Sequence, residues 1–452
     1  MTFSKMNDKL HTTQSSGCQA PIASLQGSQE CGRDDLMGNT TRRATTSLSP
    51  SAQLAEIGAD TEEPPGTSRN RAASPWAGPP APSRALLHSV PSPDLGVLTP
   101  PVEIPRRARA EPRRKTVRAV DLKKYDIAVL YSLALGLERG RQEDLIADEE
   151  TERVARDVAE VLKGHAASVH LVPIWDDLTP LVANFNPRKT IVFNMVESLG
   201  GRAMTDAETP RILQALGFRF TGNAYTGLRR AGDKWTTKRL LGAAGLAVPR
   251  AQLFRKPRER VVTVPLPAIV KPSAEGASFG ITHDSVVRDL PALFARIEEC
   301  FRIYRQPVLV EEFIPGREIN VAVWGNGHPE VLPLSEIIFQ WTDDPLKRIV
   351  SFDAKWTEDS IEYNQTPGRC PADLTPAERQ RVEHAALRTY QLIGVKGFCR
   401  VDMRLRDGVP YILEVNANPT LAREAGFFRS ASAVGHTYES MILHIVKLAF
   451  QD

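Results

Sequence analysis

The 452-residue chain has no apolar run long enough to span a bilayer, and its first residues (MTFSKMNDKLHTTQSSGCQ) lack the apolar stretch of a secretory leader. Cysteine is scarce: Cys18, Cys31, Cys300, Cys370 and Cys399 are odd in number and widely scattered. No CxxC pair and no Cys/His cluster occurs among them, which argues against a zinc framework and against a disulfide-built secreted fold. Cys399 sits in an apolar strand pattern and is expected to be a buried small hydrophobe. Charge excess is also lacking: the formal net charge of +3 is too close to balance for a polyanion-binding protein as a whole. There is no internal repeat. Together these absences predict a cytoplasmic protein with no membrane span and no nucleic-acid partner. The length leaves room for roughly two to four domains.

Before about residue 120 apolar periodicity is missing as well. Ser, Thr, Pro, Gly and Ala dominate, as in PPGTSRNRAASPWAGPPAPSR. Such a segment cannot bury enough surface to offset its ordering entropy, so residues 1–122 are expected to be a disordered tail. It ends in a basic run (Arg106, Arg107, Arg109, Arg113, Arg114, Lys115, Arg118) that fits either a solvated linker or contact with an anionic partner.

From Asp121 the pattern becomes globular. Residues 123–224 predict a small α/β domain with a mainly parallel sheet: strands at 125–133, 169–172 and 190–196, a helix capped by Thr151, and a helix with Pro210 in its first position. Two further units follow, 225–312 and 313–452. Helices are expected at 233–241, 291–304, 376–392 and 437–450. Strands are expected at 268–271, 308–313, 319–324, 331–338, 398–405 and 411–416. A long polar loop over 340–371 is a candidate lid.

The segment GFCRVDMRLRDGVPYILEVNANP carries the strongest local chemistry. Polar and apolar residues alternate on both sides of Asp407-Gly408, so it predicts a hairpin. With a three-residue loop, Asp402 opposes Glu414 and Arg400 opposes Asn416, all on one face. A two-residue loop with regular pairing puts the carboxylates on opposite faces. Opposed carboxylates repel unless a cation lies between them, and two carboxylates with an amide oxygen are hard ligands suited to Mg²⁺. The same alternation also describes an exposed hairpin with ordinary charges.

In AIVKPSAEGASFGI an apolar strand delivers Lys271 to a loop of small residues whose N–H groups can approach phosphate, although the pattern is not that of a P-loop. In VLVEEFIPGREINVAVW a strand ends in Glu311 and Glu312, turns at Pro315-Gly316 and leaves from Glu318. Each pattern also fits an ordinary turn, and Lys234 also fits a solvated helix lysine.

In this order the pieces resemble the ATP-grasp superfamily, most closely the D-alanine–D-alanine ligase family, from about Tyr125 to the C-terminus. The resemblance implies an ATP-grasp α/β fold. It implies an ATP- and Mg²⁺- (or Mn²⁺-) dependent carboxylate–amine ligase that forms an amide through an acyl phosphate. Small carboxylates and amines would be its partners, and a homodimer is compatible with it. By position, Lys234 and Lys271 match lysines that contact ATP phosphates, and Glu275, Gly276, Ala277, Ser278 and Gly280 match the loop that closes over them. Glu311, Phe313 and Ile314 match the adenine connector, and Glu318 the ribose carboxylate. Lys355 matches the lid lysine, Asp402, Glu414 and Asn416 the metal ligands, and Arg400 the arginine that steadies the transition state. The substrate end departs from the family: Ala277 replaces a substrate-linked serine, Trp356 the lid tyrosine, Thr420 an oxyanion glycine, and Ala425 falls near the serine that meets the acceptor carboxylate. Thr420 and Arg423 are the substrate candidates. The competing readings are a different acceptor nucleophile on the same scaffold, or an ATP-binding scaffold protein without turnover.

Overall fold

The computed structural model describes residues 120–451, apart from Ala134 and Leu137. The expected disordered tail, its basic run, and Cys18 and Cys31 lie outside the described residues.

The first layer runs β1 (Asp126–Ser132), α1 (Ile146–Lys163), β2 (Ser168–Ile174), α2 (Thr179–Asn184), β3 (Thr190–Met195), α3 (Glu208–Ala215) and β4 (Arg219–Phe220). Its sheet is parallel throughout, in the order β2-β1-β3-β4. A parallel sheet covered on both faces requires apolar residues at successive positions. Ile127, Ala128, Val129 and Leu130 supply them, each with no exposed surface. Two expectations here need correction. Thr151 does not cap α1, because its hydroxyl donates back to the Ala147 carbonyl at 2.9 Å, one turn inside a helix that starts earlier. Pro210 lies within the first turn of α3, not at its first position. There its missing N–H still costs no helical hydrogen bond.

Next come α4 (Tyr225–Gly232) and α5 (Lys234–Ala243). Asp233 caps α5 by accepting from the N–H groups of Trp235 (3.0 Å) and Thr236 (3.2 Å). β5 (Ala251–Phe254), β6 (Ala268–Pro272), β7 (Val286–Val287), α6 (Leu290–Tyr304) and β8 (Val308–Glu312) build an antiparallel sheet in the order β5-β8-β6-β7. α6 packs on it through Leu293 and Ile297.

The last unit contains β9 (Arg317–Trp324), β10 (Glu330–Val331), β11 (Ser335–Ile337), α7 (Phe352–Trp356), α8 (Ile361–Asn364), β12 (Gly368–Arg369), α9 (Pro376–Ile393), β13 (Phe398–Arg406), β14 (Val409–Ala417), α10 (Gly426–Ser432) and α11 (Tyr438–Leu448). Its sheet follows β12-β11-β9-β13-β14, with β10 also on β9. The strand expected over 331–338 is split in two around Pro333, which cannot donate to a ladder. The expected loop over 340–371 carries α7 and α8, each started by a serine cap: Ser351 Oγ accepts from Ala354 N at 3.1 Å and Ser360 Oγ from Tyr363 N at 3.0 Å. Cys399 is buried on the apolar face of β13.

The apolar cores cross these boundaries. One joins Val129 and Phe193 of the parallel layer to Met441 and Ile445 of α11 and to Trp324 and Phe398 of the last sheet. Another packs α9, through Val382 and Ala386, on Val321, Val401 and Met403. The result is a mixed α/β architecture: a parallel layer followed by two antiparallel-sheet units, with the site between the latter.

Candidate active site

The hairpin β13–β14 is built differently from the expectation yet reaches the same pairing. Its turn has two residues, Asp407 (φ 52°) and Gly408 (φ 73°), both left-handed, and Arg406 pairs with Val409. The three-residue loop is therefore overturned. The parity is restored further along. Met403 faces Ile412, but Asp402 faces Glu414, so Leu413 is an extra residue in a β-bulge. Past the bulge, Arg400 faces Asn416. The buried Lys238 of α5 braces this irregularity, donating to the carbonyls of Leu413 (3.0 Å) and Ile412 (3.4 Å).

The polar face so formed is tightly connected. Arg400 holds Asp402 in a fork, Nε to Oδ1 and Nη2 to Oδ2, both 2.8 Å. Asn320 of β9 donates to Asp402 Oδ1 at 2.7 Å. Asn416 Nδ2 donates to Asp402 Oδ2 at 2.8 Å and to Glu414 Oε1 at 3.2 Å. Lys234 Nζ lies 3.4 Å from Glu414 Oε2. Burial opposes ionisation of Glu414, but Lys234, Lys271 and Arg400 outweigh it and hold its carboxyl down to about 2. Burial would lower Arg400, yet its fork to Asp402 raises it above the usual arginine value.

Two carboxylates and an amide thus converge on one face. A single amide donor reaches both carboxylates, which marks the point where a cation would neutralise them. This donor set of hard oxygens fits Mg²⁺. Among the described residues there is no group of three or more His, Cys, Asp or Glu side chains that could hold a metal ion.

Opposite this face stands the β6–β8 sheet. Lys271, at the end of β6, and Lys238 both lie 2.9 Å from the Glu311 carboxylate, which is 1% exposed. Burial, then the charge of Lys234, depresses the Lys271 ammonium to about 8. Burial and then Lys271 push Lys238 down as well. Glu318 is paired with Arg404 Nη2 at 2.8 Å, and burial raises its carboxyl. Phe313 and Ile314 continue from β8 into the cavity wall.

The glycine loop after β6 is fastened to the segment around α7. Ser278 Oγ donates to the Val350 carbonyl (2.9 Å), Trp356 Nε1 to the Ala277 carbonyl (2.9 Å), and Phe352 N to the Ile281 carbonyl (2.8 Å). Lys234 Nζ donates to the Glu275 carbonyl. Ala277 (φ 51°) and Ser278 (φ 64°) are left-handed. At Gly280 an added Cβ would lie 2.7 Å from Tyr304, so only glycine fits. Lys355 is drawn below the usual lysine range by burial and then by Arg400.

These walls enclose a cavity of about 940 Å³. It brings together Lys234, Lys271, Glu275, Gly276, Ala277 and Ser278 with Glu311, Phe313, Ile314 and Glu318. Lys355, Arg400, Asp402, Glu414, Asn416 and Thr420 line it too. Gly280 lies in the loop but does not line the cavity, and neither does Arg423. The Arg423 Nε is 3.7 Å from Asp157, and its guanidinium covers the Tyr438 ring at 4.0 Å. The sequence reading missed Asn320, Lys238, Arg404 and Arg429. Asn320 was detectable, because it alternates with Glu318 on one face of β9. Lys238, one turn after Lys234 on α5, carries only a weak signal. A second cavity of about 240 Å³ adjoins the first, and Glu150, Lys355 and Arg400 line both.

The family model described as D-ala D-ala ligase C-terminus matches residues 241–447. An uncharacterized protein of Sinorhizobium fredii is 31% identical over 260 residues, covering 57% of this chain and 74% of its own. A D-alanine–D-alanine ligase of Desulforudis audaxviator is 31% identical over 295 residues, covering 63% of this chain and 92% of its own. The solved structure of a D-alanine–D-alanine ligase from Bacillus anthracis complexed with ATP superposes with a TM-score of 0.56 at 20% identity, covering 72% of this chain and 97% of that one. That likeness establishes a shared fold.

Proposed function

The chain belongs to the D-alanine–D-alanine ligase family and is an ATP-dependent ligase of the ATP-grasp fold, and on that premise we propose that it joins the carboxylate of one amino acid to the amine of a second through an acyl phosphate. The observation that carries this reading is the convergence of Arg400, Asp402, Glu414 and Asn416 with Lys234, Lys271 and Lys355 on one cavity.

In this reading, Lys234 and Lys271 grip the ATP phosphates under the 275–280 loop, and Phe313 and Ile314 flank the adenine. Glu318 faces the ribose while Arg404 keeps it oriented. Asp402, Glu414 and Asn416 would hold a Mg²⁺ ion, which would supply the charge that neutralises the terminal phosphate oxygens. A carboxylate oxygen of the donor attacks the γ-phosphorus, the bond to the β–γ bridging oxygen breaks, and ADP leaves. The amine nitrogen then attacks the acyl carbon, phosphate departs with the C–O electron pair, and the amine gives up a proton. Arg400 Nη1 has no partner among the described residues, so it is free to hold the transferring phosphoryl group. Lys355 approaches the same group from the lid, and the bonds from Ser278 and Trp356 close the lid against water. Thr420 lies near the acyl centre with its N–H available in place of a glycine's.

The relatives are named for D-alanine, and the altered residues Ala277, Trp356, Thr420 and Ala425 leave the acid and amine of this enzyme to be identified among amino acids. A cytoplasmic setting, where ATP and free amino acids meet, suits the reaction. The test is a screen of amino-acid pairs, D-alanine first, for ADP release with Mg·ATP. Release that requires both an acid and an amine supports the ligase. ATP binding without turnover across the panel would instead favour a scaffold.

A further inference from the structure

Between β1 and α1 the chain leaves the parallel layer and meets the β5–β8 unit through residues 139–145. Gly140 N donates to the Ile303 carbonyl near the end of α6 at 3.2 Å. Arg141 Nη2 donates to Glu299 on the same helix, also at 3.2 Å. Asp144, 2% exposed, accepts from Arg141 N at 2.8 Å and from the Tyr304 hydroxyl at 3.3 Å. Ahead of these, Arg139 reaches Glu275, Nε to Oε1 at 3.4 Å.

These contacts fall on the two ends of the glycine loop. Glu275 opens the loop, and its Oε1 also accepts from Gln306 Nε2 at 2.5 Å. The buried Gln306 takes Ala274 N on its Oε1 at 2.7 Å, so one amide holds both residues that enter the loop. At the far end the Tyr304 ring lies against Gly280, whose carbonyl accepts from Arg296 Nη2 at 2.7 Å. Burial pushes the Glu275 carboxyl up, and Arg139 is the strongest of the groups that oppose this. Glu275 lines both cavities, whereas Arg139 and Gln306 line neither. Arg139 thus meets a bound nucleotide only through Glu275.

We propose that residues 139–145 are a clasp by which the parallel layer sets the phosphate loop, with Arg139 as a positioning residue that acts through Glu275. A full grip on the triphosphate then requires the parallel layer to be docked on α6. This rests on the placement of the ATP phosphates under the 275–280 loop in the reading above. A loop of small residues loses entropy when it orders around a ligand, and a loop already fixed at both ends loses less. The same stretch of chain runs directly into α1, whose Glu150 lines both cavities. The layer that supplies this cavity wall therefore also steadies the loop that holds ATP.

The test uses the full chain and its variants Arg139→Gln, Arg139→Lys, Glu275→Gln and the Arg139→Gln/Glu275→Gln double change. Each is titrated calorimetrically with a non-hydrolysable ATP analogue in the presence of Mg²⁺, and separately with adenosine, which lacks the phosphates and reports on the rest of the site. Arg139→Gln is expected to weaken the analogue about fivefold, the scale of one partly shielded ion pair, and to leave adenosine unchanged. Arg139→Lys keeps the charge and should recover part of the loss. The double variant should bind no worse than Glu275→Gln alone, because removing Arg139 costs nothing once its partner is gone. Amide exchange over residues 276–281 of the nucleotide-free protein should quicken in Arg139→Gln. Equal losses for analogue and adenosine would make Arg139 a general brace and overturn the proposal. Unchanged analogue affinity in Arg139→Gln, with Glu275→Gln impaired, would also overturn it, as would losses that multiply in the double variant. These results leave the phosphate-loop reading intact, whereas an unimpaired Glu275→Gln would overturn that reading and the clasp together.

Discussion

At the scale of single residues the site is a set of charges held away from their ordinary protonation behaviour. Lys271 is the clearest case. Its folded value of about 8 lies below the 10.5 of a free lysine, so the nucleotide-free protein holds fewer protons here than the unfolded chain does between those two pH values. An arriving triphosphate favours the charged form. ATP binding at pH 8 is therefore expected to take up as much as about half a proton, measurable by calorimetry in buffers of different ionisation enthalpy, and affinity should weaken as pH rises above 8. An uptake that does not change between pH 6.5 and 8 would remove Lys271 from the phosphate site. Glu414 is the converse, since its carboxyl at about 2 stays ionised throughout the physiological range. Glu414→Ala should lower kcat/KM for Mg·ATP by roughly 100-fold and raise the Mg²⁺ concentration needed for half-maximal rate. An unaltered Mg²⁺ dependence would count against the metal assignment. These two residues were legible because they sit in patterned strands. Arg429, which also lines the cavity, was not, since FFRSA carries no pattern and the short α10 is too brief to show periodicity. Arg423 seemed the better candidate by its position in the sequence, but Asp157 and Tyr438 occupy it.

At the scale of elements the segment around α7 and the glycine loop after β6 are joined into one part. Three hydrogen bonds join them, and the Trp356 indole supplies one where the family pattern has a tyrosine. Trp356→Phe keeps an aromatic, apolar side chain and deletes the donor. It is expected to raise KM for ATP about fivefold, in line with roughly 1 kcal/mol for one hydrogen bond, and to increase phosphate release uncoupled from amide formation. A phosphate-to-amide ratio equal to that of the parent would show that the indole bond does not seal the site. The hairpin shows where sequence reasoning reaches its limit at this scale. Alternation in RVDMRLR and YILEVNA correctly paired Asp402 with Glu414, but through a three-residue loop that does not exist. A tight Asp-Gly turn plus an extra Leu413 gives the same parity. Nothing local distinguishes the two solutions, because the bulge is stabilised by Lys238 from a helix more than a hundred residues earlier. Likewise the serine caps of α7 and α8 were present in the sequence, but short helices in a polar segment leave no periodicity to detect.

At the scale of the whole molecule the succession of a parallel layer and two antiparallel units was readable from the alternation of strand and helix patterns. Which layers share a core was not, since apolar faces do not name their partners. Ile445 of α11 is fully buried in the cluster that also holds Val129 and Phe193 of the first sheet. Ile445→Ala is expected to destabilise the protein by about 2–5 kcal/mol. It should also speed hydrogen exchange at β1 amides, more than three hundred residues away along the chain. Unchanged exchange in β1 would mean the layers unfold independently. The shared cluster has a consequence for biosynthesis. The first sheet is translated early, yet α11, which covers part of its apolar surface, emerges only when about 250 further residues have been made. At roughly 5–20 residues per second that leaves the nascent layer partly uncovered for on the order of ten to fifty seconds. Its exposed apolar surface would be a natural landing place for ribosome-associated chaperones until the final helix docks.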